Sequence, residues 1–478
     1  MKELDQYYTP HLEWEFSNFP ITISQLNFER NNWGFNEFAT ISIWRDFDNE
    51  LKGKISGVVS NYEASQEDNF VGKGNIIVGQ TISGSDLEGN IIEIKGCLLT
   101  DFHTSSLNIN FLEAILDFDK LKIKFIDESG QRNKIRLDWY FCNEVPAHFW
   151  GITLRNLKLE NKKIRKGIDQ YDDSLESYLG GSQSKDYTEV KIPGIRFIIA
   201  KVPSTLLPDG QKGLCLEFRE ALEKIDGDLL NGIEDFLSFL FGNELHHLGY
   251  SIISEQKLVE ANLYSNTKFK KESVMPPIKF NLKYEWGDVS TLINQYLPQY
   301  LELRKNLPIE SALSRYWIAK NTPLGANLPI LSSAVEIIVG AYMKSKTDYK
   351  VEYLPQGVYL DLINDEIESL KIKLASIKGG DIIIKKILGD FRKGPNEKMN
   401  DFFSSIDIEL SQTEKEAINL RNKMAHGTRN YSDRKNVHND LILTRVYEVL
   451  FHRVLLKLLG YSGYYIDYSN VRCPLRPI

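Results

Sequence analysis

The sequence predicts an α+β protein of more than one domain, with a β-rich N-terminal region followed by an all-α C-terminal region. Three observations carry this reading. A chain of 478 residues is longer than one compact core accommodates. Up to about residue 285, short alternating or β-branched runs recur between Gly, Asn and Asp turn signals. From about residue 288 the apolar residues instead recur every three or four positions, the period of an amphipathic helix. The domains are accordingly drawn at 1–285 and 286–478.

In chain order, strands are read at FATISIW (38–44), GKISGVVS (53–60), GNIIVGQTIS (74–83) and GNIIEIKGCLL (89–99). They continue with KLKIKFID (120–127), NKIRLDWYF (133–141) and GIRFIIAKV (194–202), a spacing that suggests a sandwich or barrel-like sheet. Residues 217–242 break the pattern. Leu222, Ile225, Leu229, Ile233, Phe236, Leu237 and Leu240 follow helical spacing and predict one helix or two. NTKFKKESVMPPIKFN (266–281) is read as the joint.

Beyond the joint, helical spacing runs through DVSTLINQYLPQYLELRKN (288–306), IESALSRYWIAKN (309–321), ILSSAVEIIVGAYMKS (330–345) and VYLDLINDEIESLKIKLAS (358–376). After Gly379–Gly380, two shorter helical pieces bracket RKGPNE (392–397). Ser411 or Thr413, each with an acidic residue three positions on (Glu414 or Glu416), starts the next helix as a capping box. The final helix carries a stripe at Val437, Leu441, Val446, Leu450, Val454 and Leu458, and Gly460 stops it.

Composition narrows the function classes. With 42% hydrophobic and 26% charged residues the chain belongs to the globular class. No apolar run approaches the roughly 18–20 residues that span a bilayer, and the first residues lack a signal-peptide pattern. Cys97, Cys142, Cys215 and Cys473 are far apart without CxxC pairing, which favours a reducing compartment over a zinc site. The expectation is a cytoplasmic protein without membrane contact. Net charge is −7, split into about +4 over 288–478 and about −11 before it. That balance permits a short RNA contact but not a dense basic stripe for long nucleic acid. No phosphate loop of the GxxxxGK[ST] type appears, nor a GxGxxG between strand and helix, so no nucleotide cofactor is expected. The adjacent His246 and His247 point apart and have no third ligand at suitable spacing, which favours a structural role over a metal site. DQYDDSLES (169–177) reads as a solvated loop beside GGSQS (180–184) rather than a glycosidase carboxylate pair.

The stretch with most chemistry is LRNKMAHGTRN (420–430). On a helix Arg421 and His426 lie about 140° apart, whereas Asn422 and His426 are neighbours on one face. Asn422 can therefore fix the imidazole tautomer. Gly427 suits the left-handed position that closes a helix, which puts His426 in the last turn and the three polar groups at an exposed helix end. These groups suit cleavage of an RNA phosphodiester. The histidine moves a proton to or from the 2′-hydroxyl or the leaving oxygen, and the arginine holds the phosphate as charge develops. No metal is needed when the 2′-hydroxyl is the nucleophile. Lys423 is a further candidate for holding the substrate. A plainer reading stands beside this one: His426, Arg421 and Lys423 near a helix C-terminus all favour the macrodipole. Glu336, in SSAVEIIVG, interrupts an apolar helix, and either pairs with Arg421, polarises His426 or faces solvent.

RNKMAHG, placed after one helix and before a long final one in an all-α region, resembles the HEPN superfamily. The signature of that family is R-x4-H with Asn, Asp or His favoured after the arginine, and Arg421, Asn422 and His426 match it. A long β-rich region joined to such a domain is similar to the ApeA-type arrangement of bacterial anti-phage defence. The resemblance spans about 290–460 and is looser over the N-terminal half, where length and texture carry it. It implies a HEPN helical bundle acting as a metal-independent endoribonuclease without a cofactor, and a homodimer whose two R-x4-H segments form a composite site. By similarity His426 is the acid/base, Arg421 the phosphate ligand and Asn422 an orienting group, with an acidic residue such as Glu336 on the helix packed beside them. Products would carry 2′,3′-cyclic phosphate and 5′-hydroxyl ends. The cut RNA would stop phage multiplication by abortive infection, and the N-terminal domain would sense a phage-encoded protein. Two rivals are a non-catalytic HEPN module that binds nucleic acid or a nucleotide, and the toxin of a toxin–antitoxin pair.

Overall fold

The computed structural model describes residues 21–29, 33–46, 50–59, 79–105, 108–126, 134–142, 144–145, 151–155, 163–165, 182–202, 212–254, 257–265, 274–280, 288–389, 391–425 and 434–478. The chain divides into two compact units, Met1–Pro276 with Phe280–Pro298, and Pro277–Lys279 with Gln299–Ile478. The first is β-rich and the second helical, an α+β protein.

In the first unit, β1 (Ile21–Phe28), β2 (Thr40–Arg45), β3 (Leu51–Val58), β4 (Gln80–Ser85), β5 (Ile91–Ser105) and β6 (Asn108–Phe118) close into a barrel. Each strand is antiparallel to its neighbours in the order β1-β2-β3-β6-β5-β4, and β4 returns to β1. Alternate residues point inward, so Ile41, Ile43, Leu51, Ile55, Ile82 and Leu116 fill the interior and are fully buried. β5 does two jobs. Its first half pairs with β4 and with β7 (Lys120–Lys124), and its second half pairs with β6. Between the halves the chain turns at Gly96, whose φ of +73° favours glycine and whose missing Cβ leaves room for Asp119.

Beyond β7 the sheet opens out through β15 (Lys257–Tyr264), β14 (His246–Ser254), β8 (Lys134–Cys142), β13 (Lys212–Phe218), β12 (Ile195–Lys201) and β11 (Ser182–Ile192). It ends in β9 (Gly151–Arg155) and β10 (Lys163–Arg165). The buried Arg45 of β2 reaches out of the barrel and donates to the carbonyl oxygens of Tyr264 (2.9 Å) and Leu248 (3.2 Å).

The helical reading of 217–242 is corrected at its start. Glu217 and Phe218 finish β13, and a short 3-10 turn at Leu222–Lys224 follows. The α-helix α1 runs only over Gly227–Phe241, because Asp226 caps it by accepting from the Leu229 N–H at 2.8 Å and Gly242 closes it at φ +67°. The acidic cluster 169–177 and most of the proposed joint lie outside the described residues.

Helix α2 (Asp288–Asn306) contributes residues up to Pro298 to the first unit and the remainder to the second. The second unit continues with α3 (Ile309–Lys320), α4 (Asn327–Ser345), α5 (Gln356–Leu374), α6 (Gly380–Gly389), α7 (Pro395–Ser405), α8 (Gln412–Ala425) and α9 (Arg434–Leu458). Gly460, at φ +67°, ends α9 as the sequence suggests. Among the described residues α4 is the single helix long and apolar enough to cross a membrane by length and composition, and here it is surrounded by α3, α7, α8 and α9. A terminal hairpin of β16 (Tyr464–Ile466) and β17 (Leu475–Pro477) pairs with residues at the joint, where Ile466 N–H donates to the Pro277 carbonyl at 2.9 Å.

Candidate functional site

The helix that carries Arg421 begins with a capping box, which the structure assigns to Ser411 rather than Thr413. The Ser411 hydroxyl accepts from Glu414 N–H at 3.2 Å, and the Glu414 carboxylate accepts from Ser411 N–H at 2.8 Å. Glu414 also pairs with Arg453 of α9, so the start of α8 is tied to the bundle as well as capped. Downstream, Ala417, Leu420, Arg421 and Met424 are buried at helical spacing. Arg421 thus occupies the core-facing stripe of α8.

This differs from the exposed helix end that the spacing suggested. Arg421 is only 6% exposed. Its guanidinium forms an ion pair with Glu336 of α4, and Nη2 donates to Asn396 Oδ1 of α7 at 3.4 Å. The ion pair is asymmetric: the Arg421 side chain is 7% exposed and that of Glu336 46%. Glu336 is therefore the half-exposed partner of a guanidinium whose paired nitrogen, Nη1, is itself buried. Of the three placements that the sequence left open for Glu336, the pairing with Arg421 and the exposure to solvent are both present, and the relation to His426 lies outside the described residues.

Sequence reasoning missed two residues of α9 in this region. Tyr447 is fully buried beside Arg421, and burial pushes its hydroxyl up to about 12 while the Arg421 charge pulls the other way. Thr444 lies one turn earlier on the same helix and is also buried. The Arg421 guanidinium is also within hydrogen-bonding reach of the Tyr447 hydroxyl, while among the described residues the Thr444 hydroxyl has no hydrogen-bond partner. The signal available in the sequence was Tyr447 itself, one position after Val446 of the apolar stripe.

Asn422 and Lys423 stand on α8, but their side chains lie outside the described residues, as do His426 and Gly427 altogether. The structure therefore brings Arg421, Glu336, Asn396 and Tyr447 together at the point where α8 leads into the segment holding His426.

Other polar groups fall elsewhere. His452 of α9 is buried with its Nε2 2.8 Å from the Tyr316 hydroxyl. Burial first, then Lys320 and Arg445, lowers its pKa to about 3, so it stays neutral. His247 sits 3.2 Å from Asp138 Oδ1 and stacks on Tyr140 at 4.7 Å, while Arg136 grips the same aspartate at 2.8 and 2.9 Å. Burial lowers the His246 pKa to about 4. Among the described residues no three of His, Cys, Asp and Glu come together as a metal-binding group. A groove of 790 Å³ lies between α7 and the start of α8, lined by Asn400, Phe403, Asp407 and Lys415, and does not include Arg421.

Comparison with known proteins finds no matching family model, no matching curated protein and no matching solved structure.

Proposed function

We propose that the chain is a metal-independent endoribonuclease of the HEPN type, and that its β-rich unit restrains the helical one until a phage-encoded protein is sensed. The observation that supports the catalytic part is the setting of Arg421. A buried guanidinium is held from two helices and is paired with a half-exposed carboxylate, on the helix that leads to His426. Fixing a cation before substrate arrives is how a site stabilises charge without reorganising at the moment of reaction.

In this reading a homodimer supplies both proton-transfer groups. His426 of one protomer takes the proton from the 2′-hydroxyl, and the oxygen attacks the adjacent phosphorus. The bond from phosphorus to the 5′-oxygen breaks, and His426 of the partner subunit gives that oxygen its proton. A phosphate oxygen takes the place of the Glu336 carboxylate on Arg421, Asn422 orients the imidazole, and Lys423 adds charge along the RNA backbone. The products are a 2′,3′-cyclic phosphate and a 5′-hydroxyl. Acid–base catalysis of this kind is worth about 10²–10⁴-fold, and His426→Ala should lose that factor in RNA cleavage measured with EDTA present. Arg421→Ala should likewise abolish cleavage and the protection of phage-challenged cells. Cleavage unchanged in both variants would end this reading.

One observation favours a second reading. Arg421 is nearly buried and its charge is already met, which is also how a structural brace between α4 and α8 would look. The helical unit would then bind nucleic acid or a nucleotide without cutting it. Cleavage by wild type and His426→Ala, with RNA binding titrated alongside, separates the two: binding persists in both readings, and cleavage that the substitution removes is expected only in the first.

A further inference from the structure

One face of the sheet beside the barrel carries a continuous run of rings and cations. On β7, Lys120, Lys122 and Lys124 alternate with the buried Leu121 and Ile123, so the three lysines share the side away from the apolar core. Tyr264, Asn262 and Glu260 of β15 stand opposite them, and Lys95 and Glu93 of β5 flank Lys120 and Lys122 on the other side. Further in, Asn262 faces Tyr250 of β14, Tyr250 faces Asp138 of β8, and His247 faces Tyr140. Contacts join these residues into a ladder. Lys120 Nζ lies 5.1 Å from the centre of the Tyr264 ring, and the His247 ring meets Tyr264 at 5.1 Å. The Arg136 guanidinium that grips Asp138 also lies 4.1 Å from the Tyr250 ring, and the Tyr250 hydroxyl donates to Glu260 at 3.2 Å. Asp138 and Tyr140 are buried, His247, Tyr250, Tyr264 and Lys122 are partly exposed, and Lys95 and Lys124 are exposed. The run starts at a buried anchor and ends in the open.

We propose that this face binds a single strand of nucleic acid, its phosphates on Lys120, Lys122 and Lys124 and its bases against Tyr264 and Tyr250. Charge points to an anion. Lys95 pairs with Glu93 at 2.6 Å and Lys122 with Glu260 at 3.4 Å, but among the described residues Lys120 and Lys124 have no carboxylate partner. Burial, then the neighbouring Lys122 and Lys95, lowers the Lys120 pKa, the mark of cations gathered without enough counter-charge. Across the ladder five cations (Lys95, Lys120, Lys122, Lys124, Arg136) meet three carboxylates (Glu93, Asp138, Glu260), a local surplus in the half of the chain that is otherwise acidic. Spacing points to a strand rather than one phosphate. Alternate residues of β7 lie about 6.8 Å apart, close to the step between phosphates of an extended single strand. The rings separate nucleic acid from an acidic peptide, which needs the cations but has nothing to stack. A base takes the place of Lys120 over Tyr264 as the ammonium turns to a phosphate, the combination of stacking and backbone charge that serves sequence-tolerant binding. The inference is independent of the ribonuclease reading, because it draws on the first unit alone.

The test is fluorescence anisotropy of the full chain with a labelled oligothymidylate of about twelve nucleotides, within the span that one such surface covers. A DNA strand has no 2′-hydroxyl, so binding is read without cleavage. Wild type should bind at micromolar concentration in low salt. Lys120→Gln with Lys124→Gln should weaken binding at least about tenfold without lowering the melting temperature. The same pair should flatten the slope of log affinity against log salt by about 1.4, the loss expected for two phosphate contacts to a single strand. Tyr264→Leu should weaken binding by about 5- to 150-fold, the worth of one stacked base, while Tyr264→Phe should bind as wild type does. His426→Ala should leave oligothymidylate binding unchanged, so failure of cleavage and failure of this site are read separately. No binding by wild type, or an unchanged affinity and salt slope in the Lys120→Gln, Lys124→Gln variant, overturns the proposal. So does displacement of the oligonucleotide by polyglutamate as readily as by unlabelled oligothymidylate, which would make the occupant an acidic polypeptide.

Discussion

Arg421 and Glu336 show how one ion pair serves two readings, and a conservative change separates them. Glu336→Gln removes the carboxylate charge but keeps the shape and most of the hydrogen bonding. Because Glu336 is half exposed, the change should cost only about 1 kcal/mol of stability. If a phosphate must displace this carboxylate from Arg421, the same change should lower KM for RNA while kcat holds, as measured by steady-state cleavage of a short oligonucleotide. A fall in kcat with KM unchanged would instead give Glu336 a part in the chemistry. His452 sets a second residue-scale expectation. Its pKa is depressed to about 3 in the folded protein and is near 6.5 when unfolded. The unfolded chain therefore binds the extra proton between those values, and the stability that His452 contributes, full above 6.5, is lost as pH falls through this window. His246, lowered to about 4, acts in the same direction. Urea midpoints taken at about pH 7 and about pH 4.5 should fall less in His452→Gln than in wild type, each group contributing at most about 1.4 kcal/mol per pH unit.

At the scale of elements, two substitutions report on the pieces that position the site and close the barrel. Ser411→Ala removes the cap of α8 and should cost about 1 kcal/mol. Gly96→Ala forces a side chain into the left-handed region at the corner of β5 and should cost about 1–3 kcal/mol, more if Asp119 cannot give way. How far these elements were legible depended on whether local sequence decided them. The helices of the second unit were readable because each carries its own stripe, and the Ser411–Glu414 box is a local signal. β6 was not, because NINFLEAILDF mixes Glu and Ala with its β-branched residues and becomes a strand only through β3 and β5 on either side. β14 was missed for the same reason, since HHLGYSIIS draws its order from β8 and β15. Of the candidate site, the R-x4-H spacing was visible but the depth of Arg421 was not. Its place on the Ala417, Leu420, Met424 stripe indicates burial only when the neighbouring Glu336 is known to face it.

At the scale of the whole molecule, two units with separate cores should unfold as separate events. Calorimetry of the full chain should resolve more than one transition, with Gly96→Ala lowering the one that reports the barrel and Ser411→Ala the one that reports the helices. One transition moved equally by both substitutions would mean that the two units melt as one. The strand order also has a consequence for synthesis. β7 is complete at Lys124, yet one of its two neighbours in the sheet, β15, ends only at Tyr264. On the ribosome that edge waits on the order of ten seconds for its partner at ordinary elongation rates. For that interval a lysine-bearing strand, with Lys120, Lys122 and Lys124 along it, faces solvent beside a closed barrel. Its charges are the feature that keeps a nascent chain from adding a neighbour's strand in place of its own.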